Sequence, residues 1–183
     1  IPGPGENEEL FKARAAFCLR LPEELSSRID PQLPFNFDEL GSPVVLKDSF
    51  IRARHIYDSA PDWVPIFFSN YELPLWLGGC AWIFQLNEST PTSAILQLRR
   101  SFSKNKTYLG IYKREEVVTH EFSHIGRMAF EEPRYEELLA YKSATSSFRR
   151  WWGPLAESAS ESGLFAMTLI FLFLLDIFFL SFG

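Results

Sequence analysis

Apolar side chains recur at helical spacing in two stretches of the chain. In residues 6–25 they stand three or four positions apart, at Leu10, Ala13, Phe17 and Leu21. In residues 113–130 the same spacing is kept by Val118, Phe122, Ile125 and Ala129. Positions three or four apart share one face of an α-helix, so both stretches are predicted to be helices that bury one face.

Shorter stretches predict strands between these helices. Residues 93–99 alternate apolar and polar positions, and residues 106–112 predict a second strand, with residues 103–105 as the turn of a hairpin. Leu73 to Phe84 is apolar over 12 residues, which is too short to cross a bilayer. It predicts a buried strand, with a patch that touches a bilayer as the alternative. Residues 26–50 carry three prolines and predict a loop.

The C-terminal stretch is apolar on every side. Leu164 to Phe182 is almost unbroken Leu, Phe, Ile and Met over 19 residues, and about 20 are needed to cross the hydrocarbon core. Its single charge, Asp176, costs about 2.5–3.5 kcal/mol at a membrane centre, which the apolar neighbours outweigh. The pattern predicts a transmembrane helix over residues 163–183, a linker over 153–162 and a folded domain over 1–152. A buried core helix is the alternative.

The predicted span has a basic and aromatic flank on one side only. Arg149-Arg150-Trp151-Trp152 precede it, and the positive-inside rule then places the domain in the cytoplasm. The expected localisation is therefore a single-pass membrane protein, with the bilayer as a partner through residues 164–182.

Composition narrows the classes of function. The chain has 183 residues, of which 46% are apolar and 22% charged, as in ordinary folded domains. The net charge is −5 with no long basic run, so nucleic acid is not an expected partner. Cys18 and Cys80 are the only cysteines and do not make a disulfide framework.

The most specific chemistry lies in His120-Glu121-Phe122-Ser123-His124, an H-E-x-x-H pattern inside the second predicted helix. Since positions i and i+4 lie on one helical face, His120 and His124 can bind one Zn²⁺ together. Glu121 lies one step around the helix, where it can take a proton from a zinc-bound water. The sequence predicts one zinc ion per chain.

A catalytic zinc site needs a third protein ligand and a position left for water. Glu136 and Glu137 lie near the start of a second predicted helix over residues 133–150, whose first residue is a proline. A tight turn at residues 131–132 brings either glutamate level with His124 across the helical hairpin. The two glutamates are separated by about 100° around the helix, so only one is expected to face the histidines.

These two helices resemble the zinc-binding motif of the gluzincin peptidases, and in size the minigluzincins. That group supplies a glutamate from a second helix, often as E-x-x-A followed by Asp or Asn. Glu137-Leu138-Leu139-Ala140 fits this pattern, and Tyr141 departs from it. The resemblance covers about 35 residues, from Ile111 to Thr145.

The resemblance implies a zinc peptidase of α+β fold. A small mixed or antiparallel sheet would pack on an active-site helix and a second helix that carries the third ligand. His120, His124 and Glu137 would bind zinc, and Glu121 would be the general base. It also implies that a segment of the chain itself can lie in the cleft.

Other polar side chains are candidates for stabilising the oxyanion of the transition state. Tyr141 lies four residues after Glu137 on the same predicted face and is the preferred one. His55, the only other histidine, is more often structural in such a position, and Arg134 is a weaker candidate. A strand at 93–99 or 106–112 is expected to bind the extended substrate by its free edge.

The predicted function is a membrane-anchored zinc metalloendopeptidase that acts on a peptide or protein substrate. One alternative is a non-catalytic interaction domain with a structural or vestigial zinc site. Another is a deformylase-like hydrolase with Cys80, 40 residues before His120, as third ligand, although the expected Glu-Gly-Cys-Leu-Ser context is missing. The sequence leaves cleavage specificity and oligomeric state open.

Overall fold

Three strands form the central sheet: β1 (Ile66–Phe68), β2 (Gly79–Phe84) and β3 (Ser93–Leu98). β3 lies in the middle, parallel to β1 and antiparallel to β2. In the computed structural model the described residues are 1–27, 35, 37–130, 135–155 and 159–182. The strand predicted within residues 73–84 is confirmed as β2, although it begins only at Gly79 and most of its residues are half-buried and not buried.

The hairpin predicted from residues 93–99 and 106–112 is wrong. A 3₁₀ turn at Arg100–Ser103 follows β3 and leads the chain away from the sheet. β4 (Thr107–Tyr108) pairs instead with β5 (Tyr112–Lys113), in a separate two-stranded hairpin. β3 is occupied on both edges, so it has no free edge to offer a substrate.

Helices flank the sheet. Within the described ranges they are α1 (Glu8–Ser27), α2 (Lys47–Tyr57), α3 (Arg114–Gly126), α4 (Glu136–Ala140), α5 (Ser147–Trp152) and α6 (Ala159–Phe182). The fold is therefore α+β, as predicted. α1 and α3 confirm the helices predicted at 6–25 and 113–130, although α3 ends at Gly126.

The helix predicted over residues 133–150 is interrupted. A 3₁₀ turn at Tyr141–Ser143 follows α4, and Ala144 and Ser146 then adopt extended backbone angles before α5. The predicted turn at 131–132 and the predicted helix start at Pro133 lie outside the described residues.

The core has one layer on each face of the sheet. The layer between the sheet and helices α2 and α3 contains Leu46, Ala53, Ile66, Leu96, Val118 and Phe122. The layer beneath α1 contains Phe17, Leu21, Leu25, Phe67 and Ile95. Side chains alternate between the faces of a strand, so neighbouring residues of β3 enter different layers. Leu10 and Ala13 of α1 are exposed.

α6 is a single helix of 24 residues. Its described apolar side chains are mostly exposed, with Leu164 at 69% and Phe173 at 65%, so the alternative of a buried core helix is wrong. No helix among the described residues combines the length and the apolar character that crossing a bilayer requires. The transmembrane helix predicted over residues 163–183 is therefore not found.

Candidate metal centre

α3 places the two histidines of the H-E-x-x-H pattern side by side. The Nε2 atoms of His120 and His124 are 3.3 Å apart. The helix holds them there because Val118, Phe122 and Ile125, on its opposite face, are buried in the core. Burial also lowers the pKa of His120 to about 3, so its imidazole is neutral at pH 7 and can act as a ligand.

Glu137 of α4 completes the group, as predicted. Its Oε2 lies 3.5 Å from Nε2 of His120 and its Oε1 lies 3.4 Å from Nε2 of His124. The three side chains offer ligand atoms within 4.8 Å of one another and could hold a metal ion. Bonds of about 2.0–2.1 Å in a tetrahedral arrangement place neighbouring ligand atoms roughly 3.3 Å apart, so the spacing fits zinc.

Glu136 also contacts one of the histidines, His124, contrary to the expectation that only one of the two glutamates would face them. Its Oε2 lies 3.3 Å from Nδ1 of His124, on the side of the ring away from Glu137. Both neighbours can reach His124 because an imidazole has a nitrogen on each side. His120 has a different partner, the backbone of Ala140.

Glu121 lies beside the histidines, where α3 approaches the edge strand β2. Its Oε2 accepts a hydrogen bond of 2.9 Å from the backbone N–H of Ala81. Burial raises the pKa of the Glu121 carboxyl to about 7. A carboxylate with a pKa near neutrality is suited to take up and release a proton at physiological pH.

Tyr141 packs against the first histidine. Its ring stands edge-on to the ring of His120, with centroids 4.8 Å apart and an interplanar angle of 79°. Burial, followed by the charge of Glu137, raises the pKa of Tyr141 to about 12, so its hydroxyl keeps its proton. A Cβ added at Gly153 would come within 2.2 Å of the Tyr141 ring, which shows how closely this ring is confined.

A cavity of about 570 Å³ opens at these side chains, with His120, Glu121 and Tyr141 in its wall. Its remaining lining is largely apolar and includes Trp76, Leu77, Val117, Phe148 and Phe165. The cavity is large enough to take a bulky side chain next to the three polar groups.

Glu116 is a residue of this wall that the sequence analysis did not select. It lies four residues before His120, so it shares the face of α3 that carries the histidines. Its side chain is only 3% exposed and pairs with Arg149 of α5. It also accepts hydrogen bonds from the backbone and hydroxyl of Thr145. Its position four residues before His120 could have indicated that Glu116 faces the site. It was not selected because an acidic residue in the first turn of a helix is usually exposed.

Other candidates are placed elsewhere. Cys80 of β2 is partly buried, and it is not part of the candidate metal-binding group of His120, His124 and Glu137. Burial, followed by the charge of Glu121, raises the pKa of its thiol to about 12. His55 is exposed on α2 and does not line the cavity. Arg134 lies outside the described residues.

No family model, curated protein or solved structure matches this chain. The functional assignment therefore depends on the chemistry of the site itself.

Proposed function

We propose that the chain is a zinc-dependent metallopeptidase. The observation that carries the proposal is the convergence of two imidazole nitrogens and one carboxylate, with a second carboxylate beside them that does not join the group. Two histidines and a glutamate are a zinc-ligand set of hydrolases that keep a coordination position open.

Each residue has a distinct role in this proposal. His120, His124 and Glu137 hold the ion, which when bound would polarise the peptide carbonyl and make water a stronger nucleophile. Glu121 accepts the proton of the attacking water and delivers it to the leaving amine. The hydroxyl of Tyr141 donates a hydrogen bond to the oxygen on which negative charge develops.

The substrate would bind along β2 and not along a strand at 93–99 or 106–112, which the sequence analysis favoured. β2 is an edge strand of the described sheet, and the N–H of Ala81 is directed at Glu121. An extended peptide can add to such an edge through backbone hydrogen bonds, which are insensitive to sequence. The apolar cavity then favours a large apolar side chain beside the cleaved bond.

The proposal is tested by measuring bound zinc and peptide cleavage in three proteins: the parent chain, Glu137→Gln and Glu121→Gln. We expect about one zinc per parent chain, loss of zinc and of cleavage in Glu137→Gln, and retained zinc in Glu121→Gln. Turnover of Glu121→Gln should fall about 10²–10⁴-fold, because the proton acceptor is lost. A peptide library rich in Phe and Leu, read by mass spectrometry, provides the substrates.

Two results would contradict the proposal in different ways. A parent chain that binds zinc without cleaving any peptide would favour the non-catalytic interaction domain. Equal cleavage by the parent and by Glu121→Gln would show that the observed activity does not come from this site.

A further inference from the structure

We infer that Glu136 is a positioning residue that orients His124 toward the metal. The inference rests on the proposed metal site and assigns a role to the glutamate that the E-x-x-A pattern leaves out. It explains why two adjacent glutamates of α4 both face the same histidine.

The contact is made at the ring nitrogen that faces away from the metal group. Nδ1 of His124 lies 3.3 Å from Oε2 of Glu136, whereas Nε2 of the same ring lies 3.4 Å from Oε1 of Glu137. If Nδ1 carries the proton and donates a hydrogen bond to Oε2 of Glu136, the lone pair available to a metal is on Nε2. Metal-binding histidines usually donate their other N–H to a carboxylate or carbonyl, which sets the ring orientation and raises its basicity as a ligand.

The environment makes this hydrogen bond effective. The side chains of His124 and Glu136 are only 14% and 20% exposed, so water competes weakly for either group. His120 hydrogen-bonds to the backbone of Ala140, and that partner cannot be removed by a side-chain substitution. Of the two histidines, His124 is therefore the one whose hydrogen-bond partner is a replaceable side chain.

Direct binding of the metal by Glu136 is the competing explanation. Its carboxylate is not part of the described group whose ligand atoms lie within 4.8 Å of one another. The two explanations also predict different zinc affinities for the Glu136→Gln variant. A glutamine at position 136 can still accept a hydrogen bond from Nδ1–H through its amide oxygen, but it is a poor substitute for a carboxylate ligand.

The experiment measures zinc affinity by competition with a chromophoric chelator, in the parent, Glu136→Ala, Glu136→Gln and Glu137→Ala. Leu138→Ala is the matched control, because Leu138 is on the same helix and is 54% exposed. The visible spectrum of the Co²⁺-loaded proteins reports ligand geometry, and thermal unfolding of the metal-free proteins reports stability. None of these measurements requires peptide cleavage.

We expect Glu136→Ala to weaken zinc binding about 10–100-fold and to alter the Co²⁺ spectrum, as loss of an outer partner of a ligand does. Glu136→Gln should recover most of the affinity, Leu138→Ala should match the parent, and Glu137→Ala should bind most weakly. Metal-free Glu136→Ala should unfold at the same temperature as metal-free Leu138→Ala.

Three results would overturn the inference. If the parent binds zinc and Glu136→Ala binds it equally well, only the positioning role fails. If Glu136→Gln is as weak as Glu136→Ala, the carboxylate is acting as a ligand. If the parent itself binds no zinc, the proposed function fails together with the positioning role.

Discussion

Tyr141 and Glu121 both line the cavity with His120 but offer a substrate different chemical groups. Glu121 has a pKa of about 7 and can accept a proton, while Tyr141 has a pKa of about 12, so its hydroxyl stays protonated at neutral pH and can donate a hydrogen bond. Burial is the main cause of both shifts. A proton acceptor and a hydrogen-bond donor placed beside the same metal group are the pair that peptide hydrolysis requires.

Replacing Tyr141 by Phe tests the donor. The hydroxyl is not one of the three proposed zinc ligands, so zinc content should stay at the parent level while kcat falls about 10²–10³-fold, as for a lost oxyanion donor. The measurements are zinc analysis and steady-state kinetics on one cleaved peptide. An unchanged kcat would limit Tyr141 to packing against His120.

At the scale of elements, α5 is attached to α3 by a buried ion pair. Glu116 and Arg149 have side chains that are 3% and 23% exposed, and Arg149 also donates a hydrogen bond of 2.9 Å to the carbonyl of Ile111. The pair keeps Phe148 and Arg149 in the wall of the cavity. The short helices after α4 thus hold their place through a charged contact with α3.

Removing one partner should destabilise the fold. Glu116→Ala leaves the Arg149 guanidinium without its carboxylate, which in buried pairs costs about 3–5 kcal/mol; partial exposure of Arg149 favours the lower end. The measurement is the urea midpoint, with Glu8→Ala as control. Glu8 pairs with Lys12 on the surface at 78% and 70% exposure, so its loss should cost less than about 1 kcal/mol. Equal effects of the two variants would contradict this account.

Strand β2 packs closely against helix α3. A Cβ at Gly79 would lie 2.9 Å from the carbonyl oxygen of Gln97 and 3.0 Å from a methyl group of Val117. Neither contact can be relieved by rotating a flexible side chain, so the strand must move. This glycine therefore sets how near the edge strand comes to Glu121.

We expect Gly79→Ala to displace β2 and lengthen the bond between Ala81 and Glu121. The kcat/KM for peptide cleavage should fall at least 10-fold, mainly through a higher KM, while zinc content should match the parent because none of the proposed ligands lies on β2. Gly126→Ala is the control, since a Cβ there meets no atom within 4 Å. A Gly79→Ala variant with the parent's KM would show that β2 does not position the substrate.

At the scale of the whole molecule, the segment before α1 is joined to that helix by a second ion pair. Arg14 donates from Nε to Oε1 of Glu6 at 2.7 Å and from Nη2 to Oε2 at 2.6 Å. The side chains are 8% and 13% exposed, respectively. This guanidinium contact holds the pKa of Glu6 at about 2, well below the usual value of about 4.3.

The lowered pKa predicts a loss of stability in acid. Because the folded-state pKa lies below the unfolded-state value, the ion pair stabilises the fold above about pH 4.3, and this contribution is lost as the pH falls toward 2. We expect the urea midpoint of the parent to fall between pH 5 and pH 2 more than that of Glu6→Gln. Parallel curves for the two proteins would contradict the assignment.

Local pattern was enough to predict some of the fold and site. α1 and α3 were predicted because helical periodicity depends on residues three or four apart. The pairing of His120 with His124 follows from the same geometry, since one turn of a helix brings them together. The predicted helical hairpin brought both Glu136 and Glu137 level with His124, and the resemblance to gluzincins then favoured Glu137.

Contacts between distant segments were decided by the tertiary structure. No short periodicity predicts the order of the strands in the sheet. The same holds for three contacts between distant residues: the hydrogen bond from Ala81 to Glu121, the ion pair of Glu116 with Arg149 and the contact of Glu136 with His124. The sequence by itself determined which side chains could perform the chemistry, because their spacing lies within single elements. Only packing decided that a second carboxylate contacts a histidine and that a third secures a helix, because those roles depend on how elements meet.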